Sequence, residues 1–178
     1  MNQQPVIAVL VGNPRAGSRT SRVAREVADQ VADTIGGTVD YVIELAEYGP
    51  QVLDPDASVV TSEVEKLAGV DVLVVASPTY KATYTGLLKG FLDRYNNDGL
   101  AGVVAIPVLL GASASHALAG EVHLRPLLVE LGCVVPARSL YVIDSCLDEL
   151  PTTVGVWLDG CEQAVRAAVG QPIWPEVD

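Results

Sequence analysis

Three stretches of this chain are almost unbroken runs of aliphatic residues: VIAVLVG (6–12), VDVLVVASP (70–78) and GVVAIPVLLG (102–111). A strand with one wet face alternates apolar and polar residues. A run without alternation belongs to a strand covered on both faces, as in a parallel sheet between helices. Helix-period segments fill the intervals. Residues 19–35 carry Val23, Val27 and Val31 at i, i+4 and i+8 beside Ala24 and Ala28, which makes an amphipathic helix. TVDYVIEL (38–45) alternates and reads as an edge strand, 48–58 as a loop and 61–68 as a short helix. Segment 85–96 places Leu88, Phe91, Leu92 and Tyr95 on one helical face. Segment 115–131 reads as a helix bent near Gly120 or Pro126, RSLYVID (138–144) as the last strand, 152–169 as the last helix and GQPIWPEVD as a tail. Pro107 is awkward for a central strand, because it cannot donate to a ladder. Five strand–helix alternations predict an α/β fold, a doubly wound parallel sheet with helices on both faces.

At 178 residues the chain has the size of one domain, 1–178, of the usual range of about 100–200 residues. Hydrophobic residues at 49% against charged residues at 19% mark a compact globular protein. The formal net charge of −11 argues against nucleic acid and anionic membrane as partners. Basic residues are scattered except for Arg15, Arg19, Arg22 and Arg25, a local cluster suited to one small anion. Cys133, Cys146 and Cys161 are odd in number and lack CxxC spacing, which predicts buried thiols rather than disulfides or zinc ligands. The start MNQQPVIAVLVG lacks the basic residues and the apolar length of a signal peptide, and no run reaches membrane-helix length. The expected location is the cytoplasm.

An open parallel sheet binds ligands outside the carboxyl ends of its strands. That rule selects the loops at 12–21, 77–85 and 110–117. In the first, GNPRAGSRTS, the groups of Asn13, Ser18, Thr20 and Ser21 join the unpaired N–H groups at a helix start, with charge from Arg15 and Arg19. Gly12 and Gly17 have P-loop spacing, yet Ser18 stands where the lysine is required, and Asn13-Pro14 break a dinucleotide fingerprint. A monophosphate fits best. The alternative is that Ser18 or Thr20 only caps the helix. In the second loop, SPTYKATYTGLLKGFLD (77–93), Tyr80 and Tyr84 bracket a turn. Either a planar heterocycle lies against this loop, or both tyrosines are rim aromatics packed on the next helix.

Taken together, these loops resemble the NAD(P)H-dependent FMN reductase family, and most closely its members that supply reduced FMN to alkanesulfonate-type monooxygenases. GNPRAGSRTS is similar to the family's flavin-phosphate loop, with Asn13 in place of a serine. SPTYKATYTGLLKGFLD matches a Thr/Ser-Pro-x-Tyr-x-x-x-Tyr-Ser-Gly-x-Leu-Lys segment almost throughout. LLGASASHALAGEVHLRPLL (109–128) resembles the third loop and its helix, with Val122 where an aromatic or histidine is often found. The resemblance implies a flavodoxin-like fold of strand order 2-1-3-4-5. It implies that Asn13, Arg15, Ser18, Thr20 and Ser21 bind the FMN phosphate. Pro78, Thr79, Tyr80 and Lys81 would line the isoalloxazine and ribityl chain, with Gly111, Ala112, Ser113 and His116 closing the other side. It also implies NADPH or NADH as hydride donor, a homodimer or homotetramer, and a flavin-dependent monooxygenase as recipient. Apolar Leu87, Leu88, Phe91, Leu124, Leu127 and Leu128 add to the expectation of a partner copy.

The sequence offers neither a catalytic triad nor a metal-ligand cluster, as expected where the flavin carries the chemistry. His116 and His123 read as capping or interface residues on their own. The rival within enzymes is an FMN-bound reductase of quinones, azo dyes or metal oxyanions. Outside enzymes the rivals are a flavodoxin-like electron carrier and a flavin or nucleotide sensor.

Overall fold

The computed structural model describes residues 4–169, and the expected tail at 170–178 lies outside the described residues. Strands β1 (Val6–Val11), β2 (Thr38–Glu44), β3 (Val72–Pro78), β4 (Val104–Gly111) and β5 (Leu140–Ile143) form one parallel sheet. Their order is β2-β1-β3-β4-β5. This is the expected doubly wound topology. The central β1, β3 and β4 are buried almost throughout, which is why their sequences do not alternate, whereas β2 lies on an edge and keeps exposed positions.

Alternate residues of the sheet feed two cores, because successive side chains leave a strand on opposite faces. Ile7, Val9, Val11, Val72, Val74 and Ile106 meet α1 (Arg19–Ile35), α5 (Leu150–Asp159) and α6 (Glu162–Ala168) on one face. Ala8, Leu10, Leu73, Val75, Ala105 and Leu109 pack on the other against α2 (Ser58–Leu67), α3 (Gly86–Leu92) and α4 (Arg125–Glu130). Leu88, Phe91, Leu124 and Leu128 are fully buried in this second layer. They are therefore core residues rather than surplus surface, and the apolar side chains left exposed nearby are Leu118, Val122 and Val129. Of the cysteines only Cys133 is buried, and burial pushes its thiol up to about 12; Cys146 is exposed.

Three segments depart from the periodicity reading. Segment 85–96 is helical only to Leu92. Segment 115–131 divides into a 3-10 turn (Ala114–His116), a π-helical turn (Gly120–Leu124) and α4. Pro126 has no N–H to give to Val122, and the Arg125 N–H reaches back five residues to the Gly120 carbonyl, widening the turn. Segment 152–169 breaks at Gly160 and Cys161 into α5 and α6. Pro107 is accommodated for a related reason. The Ala105 N–H, on the side away from β3, donates to Val134, and pairing with β5 starts only at Val108. Pro107 faces the same side as Ala105, in the interval between those two attachments. Arg125 satisfies carbonyls in that interval by donating to Ala137 (2.6 Å) and Val135 (2.7 Å).

The end of β1 is joined to the start of α3. Gly12 approaches so closely that a Cβ there would lie 2.5 Å from the Leu88 Cβ. The buried Thr85 hydroxyl donates to the Gly12 carbonyl (2.5 Å) and accepts from the Leu88 N–H (3.1 Å), capping α3. Thr85→Val keeps the volume and strands both buried backbone groups. We expect it to cost about 2–4 kcal/mol, read as a lower urea midpoint at unchanged slope. Thr85→Ser should recover most of that loss, and a Val variant as stable as the parent would contradict this account.

Candidate functional site

The first loop is folded by its own polar side chains. Asn13, buried at the end of β1, donates from Nδ2 to the Thr20 hydroxyl (3.0 Å) and accepts the Arg15 N–H (3.0 Å). Gly17 takes a left-handed conformation (φ 60°), which glycine adopts without a Cβ penalty. Its N–H donates to Glu44 Oε2 (2.8 Å). Ser18 then caps α1 by accepting the Ser21 N–H (3.2 Å). The capping alternative is therefore realised, and it leaves a role in ligand binding open, because an accepting hydroxyl still has its proton to donate. The N–H groups of Arg19 and Thr20 open α1 without an intrahelical acceptor.

The second loop leaves β3 through Pro78. The Thr79 N–H donates to the Leu110 carbonyl (2.7 Å), tying this loop to β4. The Thr79 Oγ1 is buried and has no hydrogen-bond partner. Beyond it Tyr80 and Thr83 exchange backbone hydrogen bonds (2.8 and 3.2 Å) around Lys81 (φ 51°) and Ala82 (φ 67°). Two consecutive left-handed non-glycine residues are strained, at roughly 1–2 kcal/mol each. The third loop is held from β5, where Tyr141 donates its hydroxyl to the Ser113 carbonyl (2.8 Å).

These loops enclose a cleft of about 440 Å³ at the carboxyl ends of β1, β3 and β4. Of the residues expected at a site, Asn13, Arg15, Ser18, Thr20, Pro78, Thr79, Tyr80, Gly111 and Ala112 line it. The other four do not. Ser21 points behind the loop and donates to Glu44 Oε1 (2.6 Å). Lys81 sits at the tip of the Tyr80–Thr83 turn, Ser113 contacts Ser115 (3.2 Å), and His116 lines a separate shallow depression with His123 and Val122. Two acids went unforeseen. Asp144 follows β5, lines the cleft, pairs with Arg19 (3.1 Å) and has a buried Oδ1 without a partner. Glu44 closes β2 behind the loop. Both stand at carboxyl ends of strands, the signal that could have found them.

The electrostatics follow from this placement. Arg15 lies exposed at the cleft without an ion-pair partner among the described residues, and Arg19 brings a second cation partly neutralised by Asp144. With the free N–H groups of α1 they make one wall a receptor for a small anion. The rest of the lining mixes apolar Pro78, Tyr80, Leu110 and Ala112 with Thr79 and the Asp144 carboxylate, and the cleft is open to solvent on one side. Among the described residues no group of three acidic, histidine or cysteine side chains is placed to hold a metal ion, and no helix is long and apolar enough to cross a membrane.

The chain is similar to known proteins over most of its length. Residues 5–148 match the family model described as NADPH-dependent FMN reductase. An FMN reductase (NADPH) of Escherichia coli K12 is 32% identical over 142 residues, covering 78% of this chain and 73% of that protein. An NADH-dependent FMN reductase, SfnF, of Pseudomonas putida is 29% identical over 126 residues, 68% of each chain. Among solved structures, an apo NADH:FMN oxidoreductase superposes with a TM-score of 0.85 at 29% identity, over 96% of this chain and 92% of that one. With the matched span covering most of its length and the fold shared, the chain belongs to the NADPH-dependent FMN reductase family.

Proposed function

We propose that this chain, acting as one flavin-binding domain, reduces FMN at the expense of NADH or NADPH in the cytoplasm. One observation carries the reading. The start of α1, Arg15 and the partnerless Thr79 hydroxyl border one cleft, which also presents the apolar Pro78, Tyr80, Leu110 and Ala112. That donor set fits FMN: an anion at one end, a hydroxylated chain past Thr79 and a planar ring beside Pro78 and Tyr80. Bound there, FMN supplies the acceptor at ring N5 for the hydride from nicotinamide C4, and a solvent proton completes the reduced flavin.

The chain's own residues bind and orient. Ser18 donates its hydroxyl to the phosphate while still capping α1. The Arg19 and Thr20 N–H groups and the Arg15 guanidinium complete the phosphate shell. Thr79 donates its otherwise unpaired hydroxyl to the ligand. Pro78 and Tyr80 give the ring an apolar platform, and the strained Lys81–Ala82 turn fixes where that platform ends. The open side of the cleft leaves room for nicotinamide to approach the ring. Ser21 supports this shell from behind.

The flavin is read as an exchanging substrate, passed on reduced to a separate flavin-dependent monooxygenase. The open cleft and the match of SPTYKATYTGLLKG to reductases of that type support this. NAD(P)H oxidation should therefore rise and saturate with added FMN. Arg15→Ala should raise the KM for FMN about tenfold or more at near-constant kcat, as loss of a charge-assisted contact made equally in ground and transition states. Protein that retains a yellow flavin through dialysis, with a rate independent of added FMN but dependent on quinone, would overturn the exchange reading.

A homodimer or homotetramer is read from the exposed Leu118, Val122 and Val129 on the 114–130 segment. Sedimentation velocity at micromolar concentration should show more than a monomer, and Val122→Asp with Leu118→Asp should shift it toward one. A monomeric parent, with and without FMN, would remove this proposal.

A further inference from the structure

The loop that receives the anion is itself held by an anion. Glu44, the last residue of β2, is 7% exposed, and both of its oxygens are engaged. Oε2 accepts the Gly17 N–H at 2.8 Å and Oε1 accepts the Ser21 hydroxyl at 2.6 Å. The Arg25 guanidinium stands 3.7 Å from Oε1, half exposed and outside the cleft lining. Gly17 lines the cleft, so a single peptide unit separates this carboxylate from the surface that faces the ligand.

Two effects of opposite sign come from this placement. Tying Gly17 and Ser21 to one carboxylate fixes the left-handed turn and the start of α1, and so points the Ser18 hydroxyl and the Arg19 and Thr20 N–H groups at a common place. The same carboxylate repels a phosphate held there and takes a loop N–H that could otherwise serve it. We infer that Glu44 is a positioning residue that shapes the phosphate loop while its charge holds FMN affinity down, with Arg25 offsetting part of that charge. This rests on the reading of the cleft as an FMN site. A flavin handed on after each turnover must leave, and a built-in counter-charge behind its phosphate favours release without loosening the loop.

Glutamine separates the two effects. In Glu44→Gln the side-chain oxygen can still accept from Gly17, and the bond to Ser21 reverses, the amide donating to the hydroxyl oxygen, so both loop contacts keep a partner while the charge is removed. Arg25→Gln does the reverse, leaving the acid uncompensated. Binding is read by titrating FMN and riboflavin into the parent and each variant by fluorescence quenching at about 0.01 M and about 1 M salt, where the screening length falls from roughly 30 Å to roughly 3 Å. At low salt Glu44→Gln should bind FMN about three- to tenfold more tightly, and Arg25→Gln more weakly by a similar factor. Both should leave riboflavin unchanged, and both differences should shrink at high salt. If Glu44→Gln leaves FMN binding unchanged, or weakens FMN and riboflavin alike, Glu44 is only a structural peg and the inference fails while the site reading stands. If the parent binds FMN and riboflavin equally, the phosphate reading fails and takes this inference with it.

Discussion

The Thr85 hydroxyl is where the two cleft walls become one body. It gives its proton to the last carbonyl before the first loop and takes the N–H that would otherwise dangle at the start of α3. The Thr85 N–H in turn donates to Ser77 at the end of β3 (3.0 Å). β1 and β3 are neighbours in the sheet, and their following helices lie on opposite faces, which opens a crevice at their carboxyl ends. The Gly12 N–H adds a second tie, donating to the Ala76 carbonyl of β3 (2.7 Å). The Thr85 tie is possible because Gly12 lacks a Cβ and lets α3 press against the strand end.

Around that junction the polar groups of the first loop hold its fold, and in the proposed function the same groups bind the ligand. Ser18 caps α1 with its oxygen and keeps its proton for a ligand. Asn13 spends its amide on Thr20 and Arg15, so its contribution is to hold donors in place. Glu44 fixes the turn at Gly17 from behind. Hydrogen bonds internal to the loop lower the ordering entropy that binding a ligand there would cost. Thr79 is the exception. Its buried hydroxyl has nothing to bond to inside the protein, a cost that a ligand in the cleft would relieve.

Most of this was written in the sequence where one principle acted alone. Burial on both faces made β1, β3 and β4 legible as unbroken apolar runs, and the 3.6-residue period made α1 legible from Val23, Val27 and Val31. Segment 115–131 was legible as a helix bent near Gly120 or Pro126, and the π turn at Gly120–Leu124 lies there, but the separate 3-10 turn at Ala114–His116 was not legible from periodicity. The second-loop motif located the apolar wall, since its proline and tyrosines follow a buried strand. A sequence shows the Ser21 hydroxyl but not its direction, and Glu44, 23 residues away, accepts it. The apolar residues of α3 and of the helix that ends in α4 were counted as surplus because a linear pattern does not show that both helices pack on one sheet face. Asp144 and Glu44 are not legible in the sequence, because only geometry gives each its cationic partner, Arg19 and Arg25.

The central claim is that the start of α1 receives the phosphate of FMN. The most direct test compares amide shifts of 15N-labelled protein saturated with FMN and with riboflavin, which differ only in that phosphate. The account predicts that the differences concentrate on the N–H signals of Ser18, Arg19 and Thr20, displaced downfield by FMN alone as they become donors to a charged acceptor. Signals from the Pro78–Tyr80 wall should move equally with both flavins. Identical shifts at Ser18, Arg19 and Thr20 for the two flavins, or phosphate-specific shifts confined to another part of the molecule, would contradict it.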